Sequence, residues 1–249
     1  MGSISKIIRN YDGSPLLVTD TIEENCEFEN TMIEGFGTII IDKDFLEDSS
    51  LSITDEEASK GLVYMLTTLR NKIVDYYCSD EENVDSRKQT YASNYLVNEE
   101  GLILGTKLSS LKGKNISECS EKSIAAYVVL ERLFKAGKIT RKPTLILSSL
   151  STESCESEPH AFLLIDKESD DYPTKHILFD PQNPTDIKDI SNDKESRFVG
   201  LYSLSDEEYE SIVIGKKCTP KSLYEFMSPN YKEFGEKRFY GSKEQIKER

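Results

Sequence analysis

Three short segments hold the residue types able to do covalent chemistry, and their Cys119, His160 and Asp180 fall within 62 residues of one another. The first, Asn115-Ile116-Ser117-Glu118-Cys119-Ser120-Glu121, opens an apolar helical pattern. The second, Pro159-His160-Ala161-Phe162-Leu163-Leu164-Ile165, sets a histidine at the head of an apolar run. In the third, His176-Ile177-Leu178-Phe179 runs into Asp180-Pro181-Gln182-Asn183-Pro184. In chain order these give a cysteine at a helix start, a histidine at a strand start and an aspartate at a strand end. Such a set can activate a thiol. A free thiol is mostly protonated at neutral pH and attacks only as the thiolate. Unpaired N–H groups at a helix N-terminus favour that anion. An adjacent imidazole takes the thiol proton and later returns it to a leaving group. A carboxylate on the other ring nitrogen fixes the imidazole's tautomer and orientation.

The element that positions Cys119 is read from its flanks. Gly113 and Lys114 interrupt the preceding pattern. Asn115 with Glu118 three residues later predicts a loose capping box, and Ser117 is the competing N-cap. Ile124, Tyr127, Val128, Leu130, Leu133 and Phe134 then recur at helical spacing, and Gly137 is the expected C-cap. Either cap puts Cys119 in the first turn or just after it. The competing reading is a buried structural thiol, the commoner fate of a lone cysteine. Cys155 is the rival nucleophile, but it falls in Ser148–Pro159, a Ser- and Glu-rich stretch predicted to be a loop, read equally as a wall of a substrate cleft or as a solvated hairpin loop. His176 is the fallback base in a chain with two histidines. Asp180 could equally be an Asp-Pro turn residue, with Gln182 and Asn183 holding the carboxylate or a substrate, or satisfying the turn. The backbone N–H of Cys119 is the default oxyanion donor, with Asn115, Asn94 and Tyr95 as side-chain candidates.

The order and placement of these residues resemble the transglutaminase-like branch of the papain-like cysteine enzymes. That family has a Cys at a helix start, a His opening a strand and an Asp ending the next, often as Phe-Asp-Pro. Here the positions read Cys119, His160-Ala161-Phe162 and Phe179-Asp180-Pro181, and the likeness covers residues 105 to 190. It implies an α+β fold with a papain-like core, helices packed on an antiparallel sheet and the nucleophile at a helix N-terminus. It also implies a Cys119–His160–Asp180 triad acting on amide or peptide bonds, with no metal or organic cofactor. Two departures bear on the acyl acceptor. Glu118 precedes Cys119, where crosslinking members have a non-acidic residue. The chain has no tryptophan, so the Trp that helps bind the oxyanion in those members is absent. Both favour a protease or deamidase over a crosslinking enzyme.

Composition sets the outer bounds. The 249 residues carry a net charge of −14 and are 37% hydrophobic and 31% charged. An acidic chain is repelled by nucleic acid and anionic membrane surfaces. Five scattered cysteines without a CxxC pair give no zinc or dithiol pattern and fit a reducing compartment. No signal peptide or membrane-spanning run is read at the N-terminus, so the expectation is a cytosolic protein or one exported without a cleaved signal. The expected partner is a protein or peptide substrate, and the chain is taken as a monomer. Residues 1–50 read as an extension or small subdomain, 51–228 as the transglutaminase-like catalytic domain, and 229–249 as a charged, frayed tail. Within them, Thr54 caps a single helix through Tyr76, and 86–97 forms another around Tyr91 and Tyr95. Strands are predicted at 16–18, 38–41, 144–147, 161–165, 176–179 and 197–204, and Ser205 caps a short helix. Two functions stand at this point: thiol-mediated acyl transfer, with hydrolysis first, and a transglutaminase-like protein-binding module without turnover.

Overall fold

The computed structural model describes residues 6–9, 15–18, 26–29, 38–78, 89–91, 93–97, 103–115, 118–152, 155–167, 175–185, 199–223 and 238–241. In chain order, β1 (Lys6–Arg9) and β2 (Pro15–Val18) form an antiparallel pair. Next come β3 (Cys26–Glu29), β4 (Thr38–Ile41) and three helices, α1 (Lys43–Leu46), α2 (Asp55–Ser59) and α3 (Leu62–Tyr77). The strands β5 (Tyr95–Val97) and β6 (Ile103–Lys107) complete a four-stranded sheet of order β3-β4-β6-β5, in which β4 and β6 run parallel. Beyond them lie α4 (Cys119–Lys135), β7 (Pro143–Thr152), β8 (Cys155–Ile165), β9 (His176–Phe179) and β10 (Leu201–Leu204). The chain ends with α5 (Asp206–Val213), β11 (Lys217–Cys218), β12 (Lys221–Ser222) and β13 (Arg238–Gly241). The large sheet is open and antiparallel throughout, in the order β11-β13-β7-β8-β9-β10-β12. The architecture is therefore α+β.

Both faces of this sheet are covered, which explains why β8, β9 and β10 are buried along most of their length. Successive side chains on a strand point to opposite faces. Ala161, Leu163, Ile165, Ile177, Phe179 and Leu201 join the core that includes α3 and α4. Phe162, Leu164, Leu178, Tyr202 and Leu204 join a second core with Ile212 of α5 and Phe239 of β13. Fully buried residues such as Leu163 and Leu178 each contribute roughly 1.5–3 kcal/mol by leaving water. The register Leu163↔Phe179, Leu164↔Leu178 and Ile165↔Ile177 matches the two predicted strands.

Several expectations are corrected. The helix predicted from Thr54 to Tyr76 is two helices. The capping box of Thr54 and Glu57 starts α2 as expected, but the chain turns at Gly61, whose φ of 99° no L side chain adopts readily. The predicted helix at 86–97 is also broken: 89–91 and 93–94 are helical, whereas Tyr95-Leu96-Val97 forms β5 opposite β6. Aromatic and β-branched side chains there favour the pleated surface.

The predicted loop Ser148–Pro159 is instead the outer half of the β7–β8 hairpin, with Ser149↔Pro159 and Leu150↔Glu158 in register. Strand pairing is a backbone interaction, so polar side chains do not end it. Pro159 is tolerated because, among the described residues, the β9 ladder covers β8 only at Leu163–Ile165. Residues 238–241, expected in a frayed tail, form β13 between β11 and β7 and bury Phe239 completely.

Candidate active site

The site lies where β9 stops. The β8–β9 ladder ends at Leu163↔Phe179, and the next residue, Asp180, begins a turn. Its main-chain N–H donates to Gly200 O at 2.7 Å, and Asn183 N donates back to Asp180 O at 3.2 Å. Pro181 fits this turn because its fixed φ suits the second position and no N–H is wanted there. Asp180 shares the parity of Leu178, so its side chain points to the same sheet face as His160 and Phe162 of β8. Their contact is direct: His160 Nε2 and Asp180 Oδ2 are 2.9 Å apart, and Asp180 is fully buried. The same Oδ2 accepts from Asn183 Nδ2 at 2.6 Å, while Oδ1 accepts from Gln182 N at 3.1 Å. A buried carboxylate without donors would be costly, and here both oxygens have them.

Cys119 approaches from the other side. It is the first residue of α4, whose N-cap is Glu118. The expected Asn115–Glu118 capping box is not the one formed: Glu118 N donates to Glu121 Oε2 at 3.1 Å, one step further along. Tyr91 donates its hydroxyl to the other oxygen of the buried Glu121. One turn into α4, Ser123 Oγ donates to Ala161 O at 2.8 Å, so the helix start is tied to the residue after His160. Residues four apart lie on one helix face, which brings Cys119 over the same strand. The Cys119 thiol lies beside the His160 side chain, close enough for its hydrogen-bonding and charge interaction to help raise the imidazole. Since Asp180 takes Nε2, Nδ1 is the nitrogen left for the thiol.

The charge state of His160 follows from its surroundings. Its ring stacks near Phe162 (6.3 Å between centroids) and Phe239 (6.2 Å), and it is 7% exposed. Burial pushes the imidazolium down. The Asp180 charge and hydrogen bond, helped by Cys119, push it up by more, to about 9. A protonated imidazole between carboxylate and thiol is the arrangement that stabilises a thiolate.

The remaining sequence candidates fall elsewhere. His176 Nδ1 accepts from Lys167 N at 3.1 Å, and its ring stacks on Tyr209 at 3.8 Å. Burial holds His176 below its ordinary value, with the neighbouring Lys167 and Arg141 charges in the same direction and Asp166 and Asp206 opposing. Asn94 commits its side-chain N–H to Thr90 O at 2.7 Å. Asn115 is exposed, in the left-handed region at φ 53°, and its N–H donates to Tyr77 O. Gln182 enters the site through its main chain. Ser117, and the side chains of Tyr95 and Cys155, lie outside the described residues. Among the described residues no group of His, Cys, Asp and Glu could hold a metal ion, and no helix is long and apolar enough to cross a membrane.

Sequence reasoning missed two features. Ser123 falls at an ordinary helix position, and its bond to Ala161 O is a tertiary contact without a local signal. Gly200 is buried just before β10, and a Cβ there would lie 2.5 Å from Asn183 O, 2.6 Å from Asp180 O and 2.8 Å from Thr185 Cγ2. Compared with protein-family models, curated proteins and solved structures, the chain matches none of them.

Proposed function

We propose that the protein is a thiol-dependent hydrolase or acyltransferase acting on amide or peptide bonds, with a papain-like, transglutaminase-like core and Cys119 as nucleophile. The observation that carries this reading is the buried His160–Asp180 hydrogen bond, with the Cys119 thiol beside the same imidazole at the start of α4. Cys119 Sγ attacks the carbonyl carbon, and the carbonyl π pair moves onto oxygen. The Cys119 N–H, at the start of α4, donates to that oxyanion. Collapse expels the amine, which takes its proton from His160, and leaves an acyl thioester. His160 then removes a proton from the incoming acceptor as it attacks the thioester carbonyl; collapse breaks the C–S bond and releases Cys119 as a thiolate beside the reprotonated His160. Water as acceptor gives the acid, the outcome we favour; an amine gives a new amide. Asp180 remains ionised and holds the ring in place. Asn115 and Gln182 remain the side-chain candidates for holding the oxyanion or the substrate; Gln182 already binds Asp180 Oδ1 through its main-chain N–H.

One observation favours the second reading, a protein-binding module on the same scaffold. Cys119 is 7% exposed, so a reagent or substrate has little access to its sulfur, as for a structural thiol. The chain supplies its own comparison, because Cys78 is exposed and lies at the end of α3. Iodoacetamide at about pH 6.5 should alkylate Cys119 faster than Cys78, since only a thiolate reacts well at that acidity. His160→Ala should abolish the preference. Alkylation of Cys78 ahead of Cys119 in the wild type would leave the binding module as the surviving reading.

A further inference from the structure

The proposed triad is held by more than its three members. Asp180 can orient His160 only if its own carboxylate is prevented from turning about the Cβ–Cγ bond. Asn183 and Gly200 meet that requirement in different ways. Asn183 Nδ2 donates to Oδ2, the oxygen that also faces His160, at 2.6 Å. With Gln182 N on Oδ1, the carboxylate is gripped at both oxygens, so its plane is fixed. Asn183 in turn is placed by a turn that closes on Gly200. Asp180 N donates to Gly200 O and Gly200 N donates to Pro184 O, both at 2.7 Å. The two carbonyl oxygens of Asp180 and Asn183 lie where a Cβ of residue 200 would be. Both are main-chain atoms of the turn, and Asp180 O is fixed there by Asn183 N, so a side chain at 200 could be admitted only by moving the turn. Both residues that grip the site also precede a proline, Asp180 before Pro181 and Asn183 before Pro184, which narrows their backbone freedom.

We propose that Asn183 and Gly200 are positioning residues for the proposed reaction. Asn183 aims the Asp180 carboxylate at His160 through its side-chain amide, and Gly200 leaves the space in which that turn closes. This rests on the thiol-hydrolase reading and adds to it two residues that touch neither substrate nor thiol. The amide bond does more than fill a turn, because its acceptor is the oxygen His160 uses. Losing it frees Oδ2 to swing while Oδ1 stays on Gln182 N. The imidazolium then loses its strongest support.

The test uses both histidines of the full-length protein. His160 and His176 should give two separable NMR titrations, one raised and one lowered, and His176 serves as a reporter of folding. In Asn183→Ala the His160 titration should fall by at least about one unit, roughly tenfold in the protonation equilibrium. The rate of iodoacetamide reaction at Cys119 should fall about tenfold with it, while the His176 titration stays in place. Gly200→Ala should give the same signature or a larger one. If that variant loses its His176 signal, it is unfolded and Asn183→Ala decides alone. Asn183→Ser, with a hydroxyl suited to a turn but too short to reach Oδ2, should match the alanine variant. An unchanged His160 titration and an unchanged alkylation rate in folded Asn183→Ala would overturn the proposal. A wild type in which Cys119 is not preferentially alkylated would instead overturn the reading beneath it, so the two failures are distinct.

Discussion

Replacing Asp180 by asparagine removes one charge from a site whose charge state depends on it. In the variant the amide has two orientations. With its oxygen in the place of Oδ2 it still accepts from His160 and Asn183, and only Gln182 N faces the new NH2 group. The reverse orientation sets the NH2 against both His160 and Asn183, so the first is preferred. The ring therefore keeps its place and tautomer and loses the attraction that holds its proton. His160 has been pushed up to about 9 against the pull of burial, and Asp180 is the largest cause in the upward direction. Without that charge the imidazole should titrate at or below its ordinary value of about 6.5, a fall of about 2.5 units or more. This corresponds to about 3 kcal/mol of lost ion-pair stabilisation, or a factor of roughly 10²–10³ in the His160 protonation equilibrium. Gln182 N, facing an NH2, should cost a further 1–3 kcal/mol or so of fold stability. The assay is the His160 ring resonance followed from about pH 5 to about pH 10, beside the alkylation rate of Cys119. A variant in which His160 still titrates near 9 would show that Asp180 is not the cause of its shift. The derivation of the site's charge state would then be wrong.

Two further outcomes follow from the same geometry. His160 has a folded value above its unfolded one, so the stability it contributes is complete below about pH 6.5 and is lost as pH rises through about 9. The melting-temperature gap between wild type and Asp180→Asn should therefore be wider at about pH 6 than at neutrality and narrow further as pH rises to about 9; a gap independent of pH would remove the ion pair from the account. Ser123→Ala leaves Ala161 O without its donor and should cost about 1–3 kcal/mol, with slower alkylation of Cys119 because α4 is no longer tied to β8. Denaturant melts and the labelling rate check both, and no change in either would make that bond incidental.

The parts of this fold that were legible are those whose signal is local. Thr54 with Glu57 and Ser205 with Glu208 form the capping boxes their spacing predicts, because each bond joins residues three apart. The runs 161–165 and 176–179 are apolar on both faces, and they became adjacent strands in the large sheet. What could not be read depends on partners distant in sequence. Ser148–Pro159 carries the composition of a loop, yet it extends a ladder whose backbone was already in register at Leu145↔Leu163. Arg238–Gly241 has one fully buried side chain, Phe239, too little for a hydrophobic pattern, and the partner that makes it a strand is β7, far earlier in the chain. Gly200 has no turn motif around it, since what it needs is space rather than an unusual φ.

The same distinction explains why the three chemical groups, and Gln182 and Asn183 as possible holders of the carboxylate, could be named from sequence while the space left by Gly200 and the Ser123 tether could not. Cys119 opens α4 and Asp180 follows the last residue of β9, and such ends leave a local trace. His160, expected at a strand start, lies inside β8 because the β7 pairing continues past it to Cys155. Of the three, one lies beside a cap, one beside Pro159 and one before Pro181. Site geometry, by contrast, is set where regular structure fails. β9 is four residues long, so its ladder releases β8 before His160, and α4 can reach the strand there through Ser123 and Cys119. A β9 longer by two residues would pair with Ala161, compete for the carbonyl that Ser123 uses and carry position 180 into the ladder. Pro181 forbids that extension, because it has no N–H to give the ladder. The proline is therefore part of how the site is made: it stops the sheet at the one place where a carboxylate, an imidazole and a helix start can meet.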